Sequence, residues 1–206
     1  MHLYKNEEKL NTYSHAFGVI LSLFGFVFLL IKNTHQSSLA IFSLCVYGFS
    51  LVLLYSASTL YHSAHKAKVK AKLRIVDHCS IYVLIAGTYT PVALITLVNG
   101  NGWLIFWTVW GIALFGIILK LFFTGKFEVL SVLLYLAMGW LIVLDFQNLV
   151  DNISPFALKM VALGGIFYTV GILFYAIDKI PYNHFIWHLF VLGGSIAHFF
   201  FILELI

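Results

Sequence analysis

Charged residues are scarce in this chain. Of its 206 residues only 10% are Asp, Glu, Lys or Arg, whereas 62% are hydrophobic and the mean hydropathy is +0.98. A soluble domain of this length needs a charged, hydrated surface, so the composition excludes that class and is typical of an integral membrane protein. The formal net charge of +4 is spread unevenly along the chain, which indicates membrane topology and not nucleic-acid binding.

Cysteine is also scarce. The two cysteines, Cys45 and Cys79, lie in or beside apolar runs, so no disulfide framework is predicted. Residues 1–10 are interpreted as a polar lead-in to an apolar run that is long enough to span a membrane, and we therefore expect no cleavable signal peptide.

Seven apolar runs are long enough to cross a bilayer as helices. Short polar or basic connections separate them, which predicts an all-α, polytopic membrane fold: a seven-helix bundle forming one domain over residues 1–206. The predicted helices cover residues 15–31, 39–62, 75–98, 103–123, 128–146, 156–177 and 184–206.

Lysine and arginine are distributed unequally between the two sides of this predicted bundle. If the N-terminus is inside, ten of the twelve lie in inner segments, and only Lys32 and Lys159 lie in outer ones. The positive-inside rule therefore predicts a cytoplasmic N-terminus and a C-terminus outside the cell. The most basic segment, residues 63–74, is predicted to be a loop that sets this topology and lies on anionic lipid headgroups.

Two histidines four residues apart open the last apolar run. A helix turns about 100° per residue, so His184 and His188 lie within roughly 40° of each other on one face. Ionisable groups inside a membrane are costly and need partners. The predicted topology brings Ser58 and His62, near the end of the second helix, and Asp77, near the start of the third, to the same depth.

A metal ion would explain why several costly polar groups share one depth. Three neutral imidazoles with water as the fourth ligand form the open, catalytic type of zinc site, so His62, His184 and His188 are the candidate Zn²⁺ ligands. Zinc lowers the pKa of bound water to about 7, and Asp77 is the candidate general base. Ser58 is the candidate contact for a substrate oxygen or for a ligand of the ion. The histidine pair alone equally fits a haem site, a proton path or helix packing.

Three other histidines are interpreted differently. His15, at the predicted start of the first helix, is expected to be a structural partner. His78 points about 100° away from Asp77 on the same helix, so only one of the two aims squarely inward, and Asp77 is favoured. His198 lies about 15 Å from His188 along the helix axis, too far to share an ion, which leaves a cavity or packing role.

Four motifs that follow one another along the chain resemble a known family. They are E-x-x-N-x-x-S-H at residues 8–15, S-x-x-x-H at 58–62, R-x-x-D at 74–77 with G-T-Y-T-P at 87–91, and H-x-x-x-H at 184–188. Together they resemble the hemolysin III family, which belongs with the progestin and adipoQ receptors and more remotely with the alkaline ceramidases. The resemblance implies seven helices, a cytoplasmic N-terminus, and zinc held by His62, His184 and His188 with Ser58 and Asp77 nearby. The short chain resembles the bacterial branch, which implies a place in the bacterial plasma membrane.

Three functions follow from the residues and the resemblance. The first is a zinc-dependent intramembrane hydrolase of a lipid amide or ester, involved in membrane-lipid homeostasis, in which Asp77 moves the proton. The second is a receptor or sensor of lipid or membrane state in which the metal is structural. The third is a pore-forming cytolysin, a role that seven resident spans argue against. No pattern in the sequence predicts an oligomeric state.

Overall fold

The computed structural model describes residues 2–35, 37–177 and 179–206, with side chains from Asn6 onward. All regular structure within these ranges is helical. The helices are α1 (His2–Lys32), α2 (Ser38–Ser63), α3 (Ala67–Pro91), α4 (Gly102–Phe123), α5 (Glu128–Gly139), α6 (Phe146–Asn152), α7 (Pro155–Ala176) and α8 (Asn183–Leu203).

Seven helical segments in the described part of the chain are long and apolar enough to cross a membrane, which confirms the predicted polytopic all-α fold. One of them combines α5 and α6, which a 3₁₀ turn at Leu141–Asp145 connects. Another extends α3 through Pro91 into a π-helical turn at Val92–Thr96. The remaining spans consist of α1, α2, α4, α7 and α8.

The basic segment at residues 63–74 is mostly helical, and the prediction of a loop there is wrong. Only residues 64–66 separate α2 from α3, which begins at Ala67. Alanine, lysine, leucine and arginine are strong helix formers, so the helix continues beyond the apolar run that set the predicted boundary. For the same reason α1 begins at His2 and not at residue 15.

The fifth predicted helix, residues 128–146, is interrupted. α5 ends at Gly139, and α6 occupies part of what was predicted to be a loop. The Tyr89 hydroxyl of α3 donates a hydrogen bond to the Gly139 carbonyl (2.9 Å) and accepts one from the Ile142 N–H (3.0 Å). A break at membrane depth is tolerated where other groups satisfy the freed backbone, and Tyr89 does so here.

Local sequence fixes where two of the helices start. The Ser37 hydroxyl accepts a hydrogen bond from the Ala40 N–H (3.1 Å) at the start of α2. The Ser154 hydroxyl accepts one from the Ala157 N–H (3.0 Å) at the start of α7, where Pro155 occupies the first turn. Both are standard N-terminal caps, since they satisfy N–H groups that have no partner within the helix.

The helices pack mainly against their neighbours in the chain, and α8 also packs against both α7 and α1. α3 is the most buried span, because it contacts α2, α4 and α5. The starts of α1, α3 and α8 meet the end of α2, as hydrogen bonds between them show. This region is called the site end below.

Gly87 allows α2 and α3 to approach each other closely. A Cβ atom built on Gly87 would lie 2.3 Å from Ser50 Oγ and 2.6 Å from Ser50 Cβ. Because α2 carries Ser58 and His62 and α3 carries Asp77, this contact sets the spacing of the two helices that hold these side chains at the site end.

Gly87→Ala should destabilise the protein by about 1–3 kcal/mol, because the added methyl group overpacks the contact between α2 and α3. Gly111→Ala is the matched control, since a Cβ there meets nothing within 4 Å; it should be neutral or stabilising by up to about 1 kcal/mol through helix propensity. Thermal unfolding in one detergent measures both. Equal midpoints for the two variants would contradict the packing argument.

Candidate metal centre

Three histidines from two helices converge at the site end. His62 lies in the last turn of α2, and His184 and His188 lie in the first turns of α8. The three residues can each offer one ring nitrogen such that all lie within 4.8 Å of one another. Their ring centroids are separated by 4.8 to 5.1 Å. His62 and His188 are buried and His184 is partly buried, so one metal ion could be held by all three away from bulk water.

The hydrogen bonding of His62 suits a metal ligand. Its Nδ1 lies 3.3 Å from Glu8 Oε2, whereas its Nε2 is buried and has no hydrogen-bond partner in the described part of the chain. Buried polar atoms are normally satisfied, so this nitrogen calls for a partner. A carboxylate on the opposite ring nitrogen is the usual arrangement for a metal-bound imidazole. Three imidazoles suit zinc among the common ions, so the donor set fits the predicted cofactor.

Glu8 connects three helices at this point. Besides contacting His62 of α2, its carboxylate accepts a hydrogen bond from the Lys70 ammonium group of α3. A charge-assisted bond of this kind fixes the carboxylate, and the carboxylate in turn fixes the imidazole. His188 is oriented in a similar way from α1, because its Nδ1 lies 3.4 Å from the Ser14 hydroxyl.

Glu7 performs a different task for α8. The residue before α8, Tyr182, has a left-handed backbone (φ 57°) and provides no side-chain cap. Instead the Glu7 carboxylate accepts hydrogen bonds from the backbone N–H groups of His184 (3.1 Å) and Phe185 (3.4 Å). The negative charge also stabilises the positive end of the helix dipole. A side chain of α1 therefore holds the turn that carries the first histidine of the H-x-x-x-H pair.

These roles of Glu7 and Lys70 were not predicted, and Glu8 was predicted only as part of a motif. The prediction treated residues 1–10 as a lead-in because they are polar. Two adjacent acids among strong helix formers, directly before an apolar helix, were the available signal that α1 extends to its partners.

Ser58 and Asp77 face the same interior space as the histidines of α8. Ser58 is only 2% exposed, and both residues line a cavity together with His184 and His188. The Asp77 carboxylate approaches the Ser58 hydroxyl and His62. All five side chains predicted to form the site thus lie at the site end.

His78 departs from the prediction that only one of the two neighbours aims inward. Both His78 and Asp77 line the cavity. Its Nδ1 also lies 4.0 Å from Glu128 Oε2, at the start of α5, so the ring is turned towards that helix.

The cavity has a volume of about 130 Å³ and extends from the histidines between α3, α5, α7 and α8. Its walls are mainly apolar and include Ile81, Leu84, Ile85, Leu136, Ile172 and Val191. His198 also lines it and lies 3.3 Å from the Val161 carbonyl through Nε2, in agreement with a cavity or packing role. The space therefore combines a polar end at the histidines with an apolar body.

Comparison with known proteins finds related sequences over nearly the whole chain. The sequence profile of the family described as "Haemolysin-III related" matches residues 3–199. Hemolysin-3 of Bacillus cereus is 45% identical over 198 residues, which cover 96% of this chain and 90% of the relative. The hemolysin-3 homolog of Bacillus subtilis (strain 168) is 46% identical, with 96% and 93% covered. The human monocyte to macrophage differentiation factor is 29% identical, with 94% and 82% covered.

Purified protein should contain about one zinc ion per chain, and His188→Ala should lose it, because one of three nitrogen ligands is removed. His198→Ala is the matched control, since it removes another cavity-lining histidine of α8 that lies outside the triad. Elemental analysis of carefully prepared protein, with circular dichroism to verify the fold, measures this. Metal-free wild type, or equal zinc in both variants, would rule out the site.

Glu8→Gln should weaken zinc binding by about 10- to 100-fold, because it removes the charge that orients His62 and raises its basicity. Glu204→Gln is the control, since Glu204 bonds Ser154 through its carboxylate and is not part of the site end. Competition with a chelating dye gives both dissociation constants. An unchanged constant in Glu8→Gln would show that this carboxylate has no influence on the metal.

Proposed function

The chain belongs to the haemolysin-III-related family and is a multi-pass bacterial membrane protein, and we propose that it is a zinc-dependent hydrolase of a lipid amide or ester. The observation that carries this proposal is the juxtaposition of three histidines, with an acid and a hydroxyl, at the polar end of an apolar cavity. A purely structural metal site does not require a cavity beside it.

His62, His184 and His188 would hold the metal. They leave room for a further ligand, since no fourth His, Cys, Asp or Glu in the described part of the chain joins the group. A bound zinc ion would supply a Lewis acid for the carbonyl oxygen and would lower the pKa of a coordinated water. Glu8 and Ser14 would keep two of the imidazoles in the orientation that this requires.

The apolar body of the cavity suits the hydrocarbon part of a lipid. If the hydrocarbon of the lipid lay between α3, α5, α7 and α8, the polar group of the lipid would lie among Ser58, Asp77 and the histidines. The hydrocarbon would also exclude bulk water from this end, which strengthens electrostatic interactions there. Binding and positioning of the reacting carbonyl would thus come from the same cavity.

Asp77 is assigned the proton transfer. Its carboxylate faces the cavity near His62, where it could accept a proton from the attacking water and return it to the leaving amine or alcohol. Ser58 lies beside it and would orient either the carboxylate or a substrate oxygen.

We infer that the site end lies at the cytoplasmic leaflet, because the lysines at the start of α3 lie there and basic residues favour the cytoplasmic side. Lys66, Lys68 and Lys72 are exposed there. Together with the rest of residues 63–74 they would lie on anionic headgroups, each contributing about 1 kcal/mol at low screening. This surface would now be the first turns of α3 and not a loop.

The two alternatives fit the cavity less well. A receptor with a structural metal gives Asp77 no task. The name of the Bacillus cereus relative refers to haemolysis, but a water-filled pore needs polar walls, and the walls of this cavity are mainly apolar.

Asp77→Asn should retain zinc and lose about 10²- to 10⁴-fold in turnover, the usual contribution of a general acid–base. Asp151→Asn, an exposed acid of α6, is the control. Zinc-loaded protein is incubated in vesicles with a panel of lipid amides and esters, and released fatty acid is quantified by mass spectrometry. Full hydrolysis by Asp77→Asn would refute the assigned role. Absence of hydrolysis by wild type would favour the receptor.

A further inference from the structure

A second space lies between α1, α2 and α8 and shares no lining residue with the cavity described above. Its volume is about 500 Å³, which is within the usual range for ligand sites. Its walls are mainly apolar and include Leu21, Phe24, Leu51, Leu192, Ile196 and Phe199. Phe24 is 73% exposed, so the space opens to the outer surface of the helices. It is called the α1 groove below.

The polar side chains of the α1 groove already have partners. The Ser22 hydroxyl donates a hydrogen bond to the Gly18 carbonyl (2.7 Å), and the Tyr55 hydroxyl lies 3.5 Å from the Val191 carbonyl. The Ser195 hydroxyl shares a hydrogen bond of 2.8 Å with Tyr168. An occupant therefore meets an apolar surface that offers it no unpaired polar side chain, which suits hydrocarbon and not a polar group.

A helix of a second protein fits the α1 groove poorly. Helices in membranes approach each other closely at small residues. The two glycines of α1 that line the groove face rings of the same chain: a Cβ atom built on Gly18 would lie 2.4 Å from the Tyr55 ring, and one on Gly25 would lie 3.0 Å from the Phe199 ring. One helical turn with side chains also occupies about 420 Å³, so the groove has room for little more than a single turn.

The length of the α1 groove matches one leaflet of a bilayer. On α1 it extends from Gly18 to Phe28, which corresponds to about 15 Å along the axis, half of an apolar core of about 30 Å. This is the half of α1 that lies away from the site end. Lys32 follows one turn later, with its ammonium group 5.8 Å from the centroid of the Phe28 ring. A cation therefore stands at the mouth of the groove, where the head of a lipid would lie.

We propose that the α1 groove binds one acyl chain of a phospholipid in the leaflet opposite the site end, with the lipid phosphate beside Lys32. The site goes beyond the proposed function and does not depend on the metal or on hydrolysis. It also supplies packing that α1 lacks, because only 22% of the apolar window of α1 is buried inside the protein.

Photolabelling tests this site in the full-length protein in dodecyl maltoside micelles. The probe is phosphatidylglycerol with a diazirine at the end of one acyl chain, added in increasing amounts before illumination. Intact-mass spectrometry counts the adducts, and peptide sequencing locates them. Labelling should saturate at no more than one adduct per chain, near Gly18, Ser22 or Tyr55, because the end of the chain reaches the inner end of the groove.

Ile196→Trp should place a larger side chain in the α1 groove. It should raise the half-saturating amount of probe at least about tenfold, the effect of displacing about two methylene groups. Leu189→Trp is the matched control, since Leu189 lies two turns earlier on the same face of α8 and is equally exposed (45% against 42%) but does not line the groove. It should label as wild type does.

Lys32→Gln should raise the half-saturating amount of the phosphatidylglycerol probe about fivefold, because a lysine near the surface contributes about 1 kcal/mol to binding of an anionic lipid. A diacylglycerol probe with the same chains should be unaffected. Lys159→Gln, which changes the exposed lysine of α7, is the control and should leave both probes unaffected.

Several results would overturn the inference. Labelling that rises in proportion to the probe, or that spreads evenly over the outer surface of the helices, would show contact without a site. Equal labelling of the two tryptophan variants would remove the groove as its location. Adducts between two copies of the chain that displace the lipid label would show that a second copy occupies the groove. An equal response of both probes to Lys32→Gln would refute the assigned phosphate contact.

Discussion

The contacts of two adjacent carboxylates, Glu7 and Glu8, hold the site end together. The candidate metal ligands lie on α2 (His62) and α8 (His184 and His188), but the carboxylates that contact His62 and the start of α8 lie on α1. Glu8 contacts the ring of His62, and Glu7 caps the turn that carries His184. Because a buried imidazole tolerates few unsatisfied atoms, the contact of Glu8 with Nδ1 decides that Nε2 of His62 is left for a metal. α1 is thus the element against which the site is assembled.

The membrane-spanning segments were predictable because each depends on a property that is local in the sequence. A run of about 20 apolar residues has few alternatives in a bilayer. The ends of the helices were less predictable. The mean hydropathy falls where a helix leaves the apolar region, whereas the helical backbone continues beyond that point. Thus α1 and α3 extend into polar residues with high helix propensity. The break after Gly139 depends on Tyr89, fifty positions earlier, and no local pattern reveals it.

The candidate site was partly predictable for a similar reason. His62, His184 and His188 lie near helix ends, and Asp77 lies near the start of the apolar part of α3, so counting the apolar runs is sufficient to bring them to a similar depth. Their partners were not predictable, because the helix cap provided by Glu7 and the hydrogen-bond acceptor provided by Glu8 depend on how α1 lies against its neighbours. His15 shows the opposite limit: its position predicted a structural partner, whereas its ring nitrogens have no hydrogen-bond partner within the described part of the chain.

The hydrogen bond between Glu7 and His184 joins residues 177 positions apart, the first helix of the chain and the last. A membrane protein is inserted as it is synthesised, so α1 enters the bilayer well before α8 exists. Until then Glu7 lacks its partners in α8, whereas Glu8 can contact His62 and Lys70 as soon as α2 and α3 have been made. The three histidines can therefore come together only after α8 has been made. A chain that ends before α8 would keep most of the membrane spans but would lack two of the three histidines.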